Sequence, residues 1–413
     1  MEKIGIRTTP LKTLLSIQYM TAGNETDIST EVSTDLLQCE YTDHIDDEAD
    51  EVSITLKDEK GKWANNWTPT RGDKVKVTFL TEARGALETK NMIIDRLSVS
   101  GRPRVFSFSA VSIPLNGTVR RTVKTRKYEN TTLKDIAYQI ANDNNLEFMW
   151  DCEENPTYDK VDQERVSDLD FLKKQCQEAG FTVKVSAETL IVFDQSKYEK
   201  EDPIKLLVEN ASHILSWSFD AQQSERYKSC TVKWRNVSKK SSSGSKSSNT
   251  ANSRQAILDS YINGSTPNKG AKPKKGSTAK KAEYIDYTYD DPDVDDSGQV
   301  YVLKKRCSSL AEAERLAKAK LRQLNLRQLT GSISMVGDPL MCAGSVIRLV
   351  NFGSFDGNFI IEKATHTMNN SGYVTSIDVR RVNNNYSIRI KQIIAAITTE
   401  KANISGSHRD LII

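Results

Sequence analysis

Apolar and polar residues alternate with period two through the N-terminal part of the chain. Val52-Ser53-Ile54-Thr55-Leu56 and Val75-Lys76-Val77-Thr78-Phe79 each place every second side chain on one face, as half-buried strands do. Arg71-Gly72-Asp73 supplies a turn before the second of them. Residues up to about 115 therefore read as short strands with polar turns, a sandwich or a small barrel. After Pro114 the spacing becomes helical. Leu133, Ile136, Ala137, Ile140 and Ala141 predict one helix, capped by Thr132 with Asp135 and ending near Asn144-Asn145. Leu169, Leu172 and Cys176 predict a second, opening at Ser167 with Asp170 and stopping at Gly180, because glycine enters the left-handed conformation cheaply. Phe181–Val185 and Thr189–Phe193 predict a hairpin, so 115–198 reads as a small α+β domain.

Strands return at Ile214–Phe219 and Ser229–Trp234. From Val237 to about Lys281 the chain is rich in Ser, Gly, Asn and Lys, too polar to offset the entropy of ordering, and Glu283 to Asp296 is acidic. The whole of 237–300 reads as an exposed, partly disordered insertion. Ser309-Leu310-Ala311-Glu312 has the form of a capping box. Leu310, Ala313, Ala317, Leu321 and Leu324 continue it as one apolar stripe ending near Asn325. A last β module runs from Gly331 to about Val382, and Ile390, Ile393, Ile394 and Ile397 predict a C-terminal amphipathic helix.

One β pattern occurs twice. Asn91-Met92-Ile93-Ile94-Asp95-Arg96 aligns with Asn358-Phe359-Ile360-Ile361-Glu362-Lys363. Upstream, Arg71–Val77 aligns with Ala343–Leu349. Downstream, a Gly turn (Gly101, Gly372) leads into Val105–Phe108 in one copy and Val374–Val379 in the other. A doubled sheet module gives one subunit two similar faces, so that three subunits could form a ring of six quasi-equivalent modules. That points to an assembly part rather than an enzyme.

Length allows two to four domains at about 100–200 residues each. The near balance of 58 basic and 55 acidic residues argues neither for nor against a polyanionic partner. No stretch approaches the roughly 20 apolar residues of a membrane span, and Met1 to Pro10 lacks a signal-peptide core. Six scattered cysteines (Cys39, Cys152, Cys176, Cys230, Cys307, Cys342) contain no CxxC pair, which fits buried small hydrophobes in a reducing cytosol.

Chemical signatures are sparse. GxSxG, GxxxxGKS, HExxH and GxGxxG are all missing. None of the four histidines, His44, His213, His366 and His408, lies near another His or Cys at ligand spacing, and His366 reads as a half-exposed strand residue. The acidic run around His44 (Asp43, Asp46, Asp47, Glu48, Asp50, Glu51) lacks calcium-loop spacing and reads as a solvated turn. Glu153-Glu154 and Asp290-Asp291 are adjacent pairs in polar segments, weak material for a lytic site. Lys239, Lys240, Lys246, Lys269, Lys272, Lys274, Lys275, Lys280 and Lys281 could meet phosphates, but few aromatics accompany them and a solvated loop explains them. Thr131–Ala137 resembles the opening of a LysM wall-binding module, though a capped helix explains the same residues. No catalytic, cofactor-binding or metal residue is assigned.

Taken in order, Gly337-Asp338-Pro339, Ala343-Gly344-Ser345-Val346, Gly357-Asn358-Phe359-Ile360-Ile361-Glu362-Lys363-Ala364-Thr365-His366 and Ser371-Gly372-Tyr373-Val374-Thr375 resemble the closing module of the phage late control protein D family, the baseplate hubs of contractile tails. The resemblance covers nearly the whole chain to about Val382. It implies a mainly β fold with α+β parts. Two similar tube-protein-like barrels would occupy 1–114 and 199–236 with 301–382, flanking the α+β domain 115–198, the insertion 237–300 and a helical tail 383–413. It further implies a homotrimeric, pseudo-hexameric ring in the baseplate of a virion or tailocin. That ring would join a sixfold tail tube to a threefold spike, contact other baseplate proteins, and surround a channel for DNA or the tape-measure protein. The chain carries no β-helix after the hub region, so the spike is expected to be a separate polypeptide. A cell-wall-binding or muralytic tail protein is the alternative.

Overall fold

The computed structural model describes residues 12–21, 24–46, 48–82, 84–112, 118–186, 188–210, 212–221, 226–236, 283–291 and 299–382. The Lys-rich stretch, His408 and the Ile390–Ile397 stripe lie outside them. The N-terminal part supplies β1 (Thr13–Thr21), β2 (Asn24–Asp27), a short helix (Ser29–Asp35), β3 (Leu36–His44), β4 (Glu51–Lys57), β5 (Lys74–Thr81), β6 (Gly85–Glu88), β7 (Met92–Ser100) and β8 (Val105–Val111). The middle supplies β9 (Val123–Thr132), β10 (Glu147–Asp151), β11 (Thr157–Ser167), β12 (Thr182–Ser186) and β13 (Thr189–Phe193). The remainder supplies β14 (Lys205–Val208), β15 (Ile214–Ala221), β16 (Tyr227–Asn236), β17 (Glu283–Asp290), β18 (Gln299–Cys307), β19 (Leu329–Val336), β20 (Val346–Val350), β21 (Gly357–Asn369) and β22 (Gly372–Arg381).

One 14-stranded sheet dominates, in the order β15-β19-β22-β21-β3-β4-β8-β7-β5-β1-β2, with β20, β14 and β6 branching from it. Both apolar clusters lie on the same face of this sheet. Val52, Ile54, Leu56, Val75, Val77, Phe79, Phe106 and Phe108 fill the first. Ile333, Met335, Ile347, Leu349, Phe359, Ile361, Ile377 and Val379 fill the second. Alternation alone accounts for this: the odd or even positions of each strand turn inward together. The strands of both expected barrels belong to one continuous sheet, and no barrel closes among the described residues.

The 118–198 segment packs its helices Leu133–Asp143 and Asp168–Ala179 on the small sheet β10-β13-β12 and on the ribbon β11-β9. Thr132 and Ser167 cap these helices, accepting from Asp135 N at 3.2 Å and Asp170 N at 3.1 Å. The third piece differs from expectation. The sequence grouped 199–236 with 301–382, but the strands of those ranges divide between two sheets. β16 and β18 form a separate three-stranded sheet with β17, covered by the helix Leu310–Asn325. Strand β17 also lies inside what read as a polar insertion. Its inward Tyr287 and Tyr289 pack on this helix-covered core, and its acidic neighbours face away.

Candidate functional site

The stretches aligned in the sequence occupy matching places in the large sheet. Gly72 N donates to Ile94 O at 2.9 Å and Ile94 N to Asp73 O at 2.9 Å. In the other copy Gly344 N donates to Ile361 O at 2.8 Å and Ile361 N to Ser345 O at 3.0 Å. Both glycines have positive φ, +96° and +87°, which any side chain would strain. The ladder to the next strand then skips one residue in each: Ile94↔Ala110 is followed by Arg96↔Ser109, and Ile361↔Val379 by Lys363↔Asp378. A second bulge repeats farther out. Leu36↔Leu56 is followed by Gln38↔Thr55 in β3/β4, and Ile214↔Met335 by Ser216↔Ser334 in β15/β19. A one-residue slip would turn a strand's apolar set to the wrong face, so two coincident bulges tie both copies to one layout. In that layout β3-β4-β8-β7-β5 matches β15-β19-β22-β21-β20.

The copies are fused edge to edge by β3 and β21, paired antiparallel from Lys363↔His44 to Asn369↔Gln38. The core side of this seam holds His366, fully buried rather than half-exposed as its sequence suggested. The missed signal is the alternation Ala364/His366/Met368, inward, against Thr365/Thr367, outward. Nε2 faces Met341 O at 3.0 Å and Nδ1 faces Tyr373 OH at 2.7 Å, a set satisfied by a neutral ring with Nε2–H donating and Nδ1 accepting. Burial lowers the His366 pKa to about 4, with the Met341 carbonyl and Asp338 opposing. Between that value and the unfolded 6.5, unfolding takes up a proton. His366 should therefore contribute full stability above pH ~6.5 and lose up to ~3 kcal/mol as pH falls to ~4. Denaturant unfolding of wild type and His366→Gln over this range should show a flatter profile for the variant. Parallel profiles would refute the assignment.

A second node joins three pieces. Lys184, from β12, pairs with Asp50 at 2.8 Å and Asp43 at 3.1 Å and also donates to His44 O. Asp43 accepts from Ala343 N of the second copy at 3.0 Å. The acidic run is thus not a solvated turn throughout: Asp50 is buried and Asp43 half-buried. Burial works against the Lys184 charge, but two carboxylates outweigh it and hold its pKa above the ordinary value. Burial, with Asp50 alongside, raises Asp43 in spite of Lys184. One cation is shared by two acids.

The other face of the fused sheet is paved with hydroxyls. Ser107 Oγ donates to Thr55 Oγ1 at 3.2 Å, and at the matching place Ser376 Oγ donates to Ser334 Oγ at 3.2 Å. Ser53, Ser109, Ser98, Thr365, Thr367, Ser332, Ser216 and Ser218 continue the surface by register. Glu153, Glu154, Asp290 and His213 are exposed, and Asp291 accepts from Asn325 at 2.7 Å. Among the described residues no three His, Cys, Asp or Glu side chains group as a metal site.

Comparison with known proteins places this architecture. The family model described as phage tail baseplate hub (GPD) matches residues 93–372, well over half of the chain. The probable baseplate hub protein of Escherichia phage 186 is 24% identical over 375 residues, covering 89% of this chain and 93% of that protein. That of Escherichia phage P2 is 23% identical over 376 residues, covering 88% and 93%. A tail protein from Neisseria meningitidis MC58 shares the fold, with a TM-score of 0.60 at 14% identity, over 89% of this chain and 97% of that one. A hub-family match over residues 93–372, with two relatives of that description aligned over nearly the whole chain, leads to one conclusion: the chain belongs to the phage tail baseplate hub family.

Proposed function

We propose that this chain is a structural hub of a phage tail or tailocin baseplate, without turnover or cofactor. Three copies form a ring of six similar, tube-protein-like modules. The ring seats a sixfold tail tube on one side and a separate threefold spike on the other, with other baseplate proteins around it. The observation that carries this reading is the pair of modules with coincident bulges, fused edge to edge by β3 and β21. A partner of sixfold symmetry then meets nearly the same surface six times although only three chains are present. The hydroxyl-bearing face suits the wall of a channel.

Light scattering on the purified chain should give three times the chain mass, and electron microscopy a ring with a central hole. Cell-wall digests should show no activity. A stable monomer would remove the ring, and a preparation that clears cell walls would remove the purely structural role.

A further inference from the structure

The two modules differ in how their cores are covered. The chain enters β3 through the short helix Ser29–Asp35, which packs on β1 and β4. Its Val32 is 1% exposed within the first core, with Ile28 and Leu36 packed beside it. The chain enters β15, the counterpart of β3, from β14 through 209–213, where no helix stands among the described residues. Apolar side chains stay uncovered there. Leu215 is 59% exposed and Trp217 43%, and Phe219 and Phe355 are half-buried. Trp217 meets Phe219 and Phe352 with ring centres 5.4 Å apart in each pair, and Phe219 stacks on Phe355 at 5.3 Å. An aromatic side chain buries roughly 150–250 Å² when covered, so an open cluster of this kind is unfinished packing.

The described chain stops beside this cluster. Arg381 Nη2 donates to Asp356 O at 2.8 Å, on the loop that carries Phe352 and Phe355. Phe219 lies opposite Gly331, and Gly331 opposite Val379, so two strand spacings, about 10 Å, separate Phe219 from the last turn of chain before Val382. Residues 383–413 follow, with Ile390, Ile393, Ile394 and Ile397 on one helical stripe and Gln392 and Thr399 opposite. Extended chain from Val382 to Ile390 reaches up to about 26 Å, enough to bring the stripe over the rings. A helix of three or four turns is marginal in water unless it packs on an apolar surface. The chain thus has an apolar stripe without a surface and, within reach, an apolar surface without a cover.

We infer that residues 386–397 dock as an amphipathic helix on the aromatic cluster of their own chain, the four isoleucines covering Trp217, Phe219 and Phe355. The second module then has a helical cover, as Ser29–Asp35 covers the first. Cover and core belong to one chain, so the docking does not depend on the ring proposed above.

Replacing Ile390, Ile393, Ile394 and Ile397 together by Ser in the otherwise unchanged chain tests this, alongside a chain ended after Val382. Emission of Trp217 is read in each background as the difference from the same chain carrying Trp217→Phe. In the purified wild-type chain acrylamide should quench Trp217 weakly, and in both altered chains strongly. Amides of 215–219 and 352–356 should exchange about tenfold faster in the altered chains than in wild type. Equal quenching and equal exchange in wild type and the serine variant overturn the docking, and leave the stripe to a partner absent from the purified chain. The serine variant alters no described residue, so it decides the matter should the shortened chain not fold. Protection retained in the dilution-dissociated monomer supports docking within one chain. Protection lost there places another copy's stripe on the cluster and overturns it.

Discussion

Lys184→Met is expected to destabilise the protein by about 3–5 kcal/mol at pH 7, the range for removing one partner of a buried ion pair. Methionine keeps the length of the side chain and fills the same space, so the effect isolates charge. Asp43 and Asp50 would be left facing one another without a cation, Asp43 keeping Ala343 N and Asp50 keeping His44 N at 3.2 Å. Acidification distinguishes this from a packing defect. Asp43 already has a raised pKa, and without Lys184 the pair of acids must bind a proton still more readily. A carboxyl whose folded pKa lies above its unfolded value favours the folded state as pH falls through that value. The difference between variant and wild type should therefore shrink between pH 7 and pH 4 in urea unfolding followed by tryptophan fluorescence. A variant as stable as wild type at pH 7, or a difference independent of pH, would show that the node contributes nothing by charge.

That node also shows where sequence reading stops. In Thr182-Val183-Lys184-Val185, alternation turns Lys184 away from its own small core, the ordinary direction of solvent. Here that direction holds the large sheet instead. The three capped helices were legible because a short-range polar signal coincides with an apolar stripe, as where Ser309 accepts from Glu312 N at 3.2 Å while Glu312 reaches back to Ser308 N at 2.8 Å. The ribbon β9/β11 was not. Val123–Thr132 is largely charged and polar, and what recommends it as a strand is backbone pairing with β11. Strand β17 was hidden likewise, its two core tyrosines lying in an acidic stretch.

The repeat lies between these cases. Its core positions could be aligned because apolar residues must recur where the same bulges and turns recur. The seam could not be read at all: Asp43 and Ala343 are 300 residues apart in sequence, and Thr42↔Thr365 is a pair that any two strands might offer. A local pattern fixes which face of a strand is buried. It does not say which distant edge the strand will join, and in this chain that choice makes one sheet of two modules.

Gly337→Ala is expected to cost about 3–5 kcal/mol, by forcing a ring out of the seam. A Cβ built on Gly337 would lie 2.1 Å from Tyr373 Cδ1 and 2.2 Å from Cγ, and the backbone cannot retreat easily. Gly337 N donates to Tyr373 O at 2.8 Å, while Gly337 O accepts from Arg84 of the first module at 3.1 Å. Next to it, Asp338 N donates to buried Thr375 Oγ1 at 2.9 Å and the carboxylate pairs with Lys205, so the Gly337-Asp338 segment is held from both sides. The ring must move instead. Tyr373 stacks on Phe79 at 5.4 Å across the modules and holds His366 through its hydroxyl. Displacing it combines overpacking of ~1–3 kcal/mol, an unsatisfied His366 nitrogen of ~1–3 and a lost aromatic pair of ~0.5–1.5. A double-mutant cycle assigns the cause: with Tyr373→Ala already present, adding Gly337→Ala should cost under ~1 kcal/mol, because the space is then open. Hydrogen exchange should quicken in 38–44 and 363–369 of the single variant, where the modules meet, before it quickens in β4 or β8. Equal costs for Gly337→Ala in both backgrounds would locate the damage in the backbone and leave the seam independent of this ring.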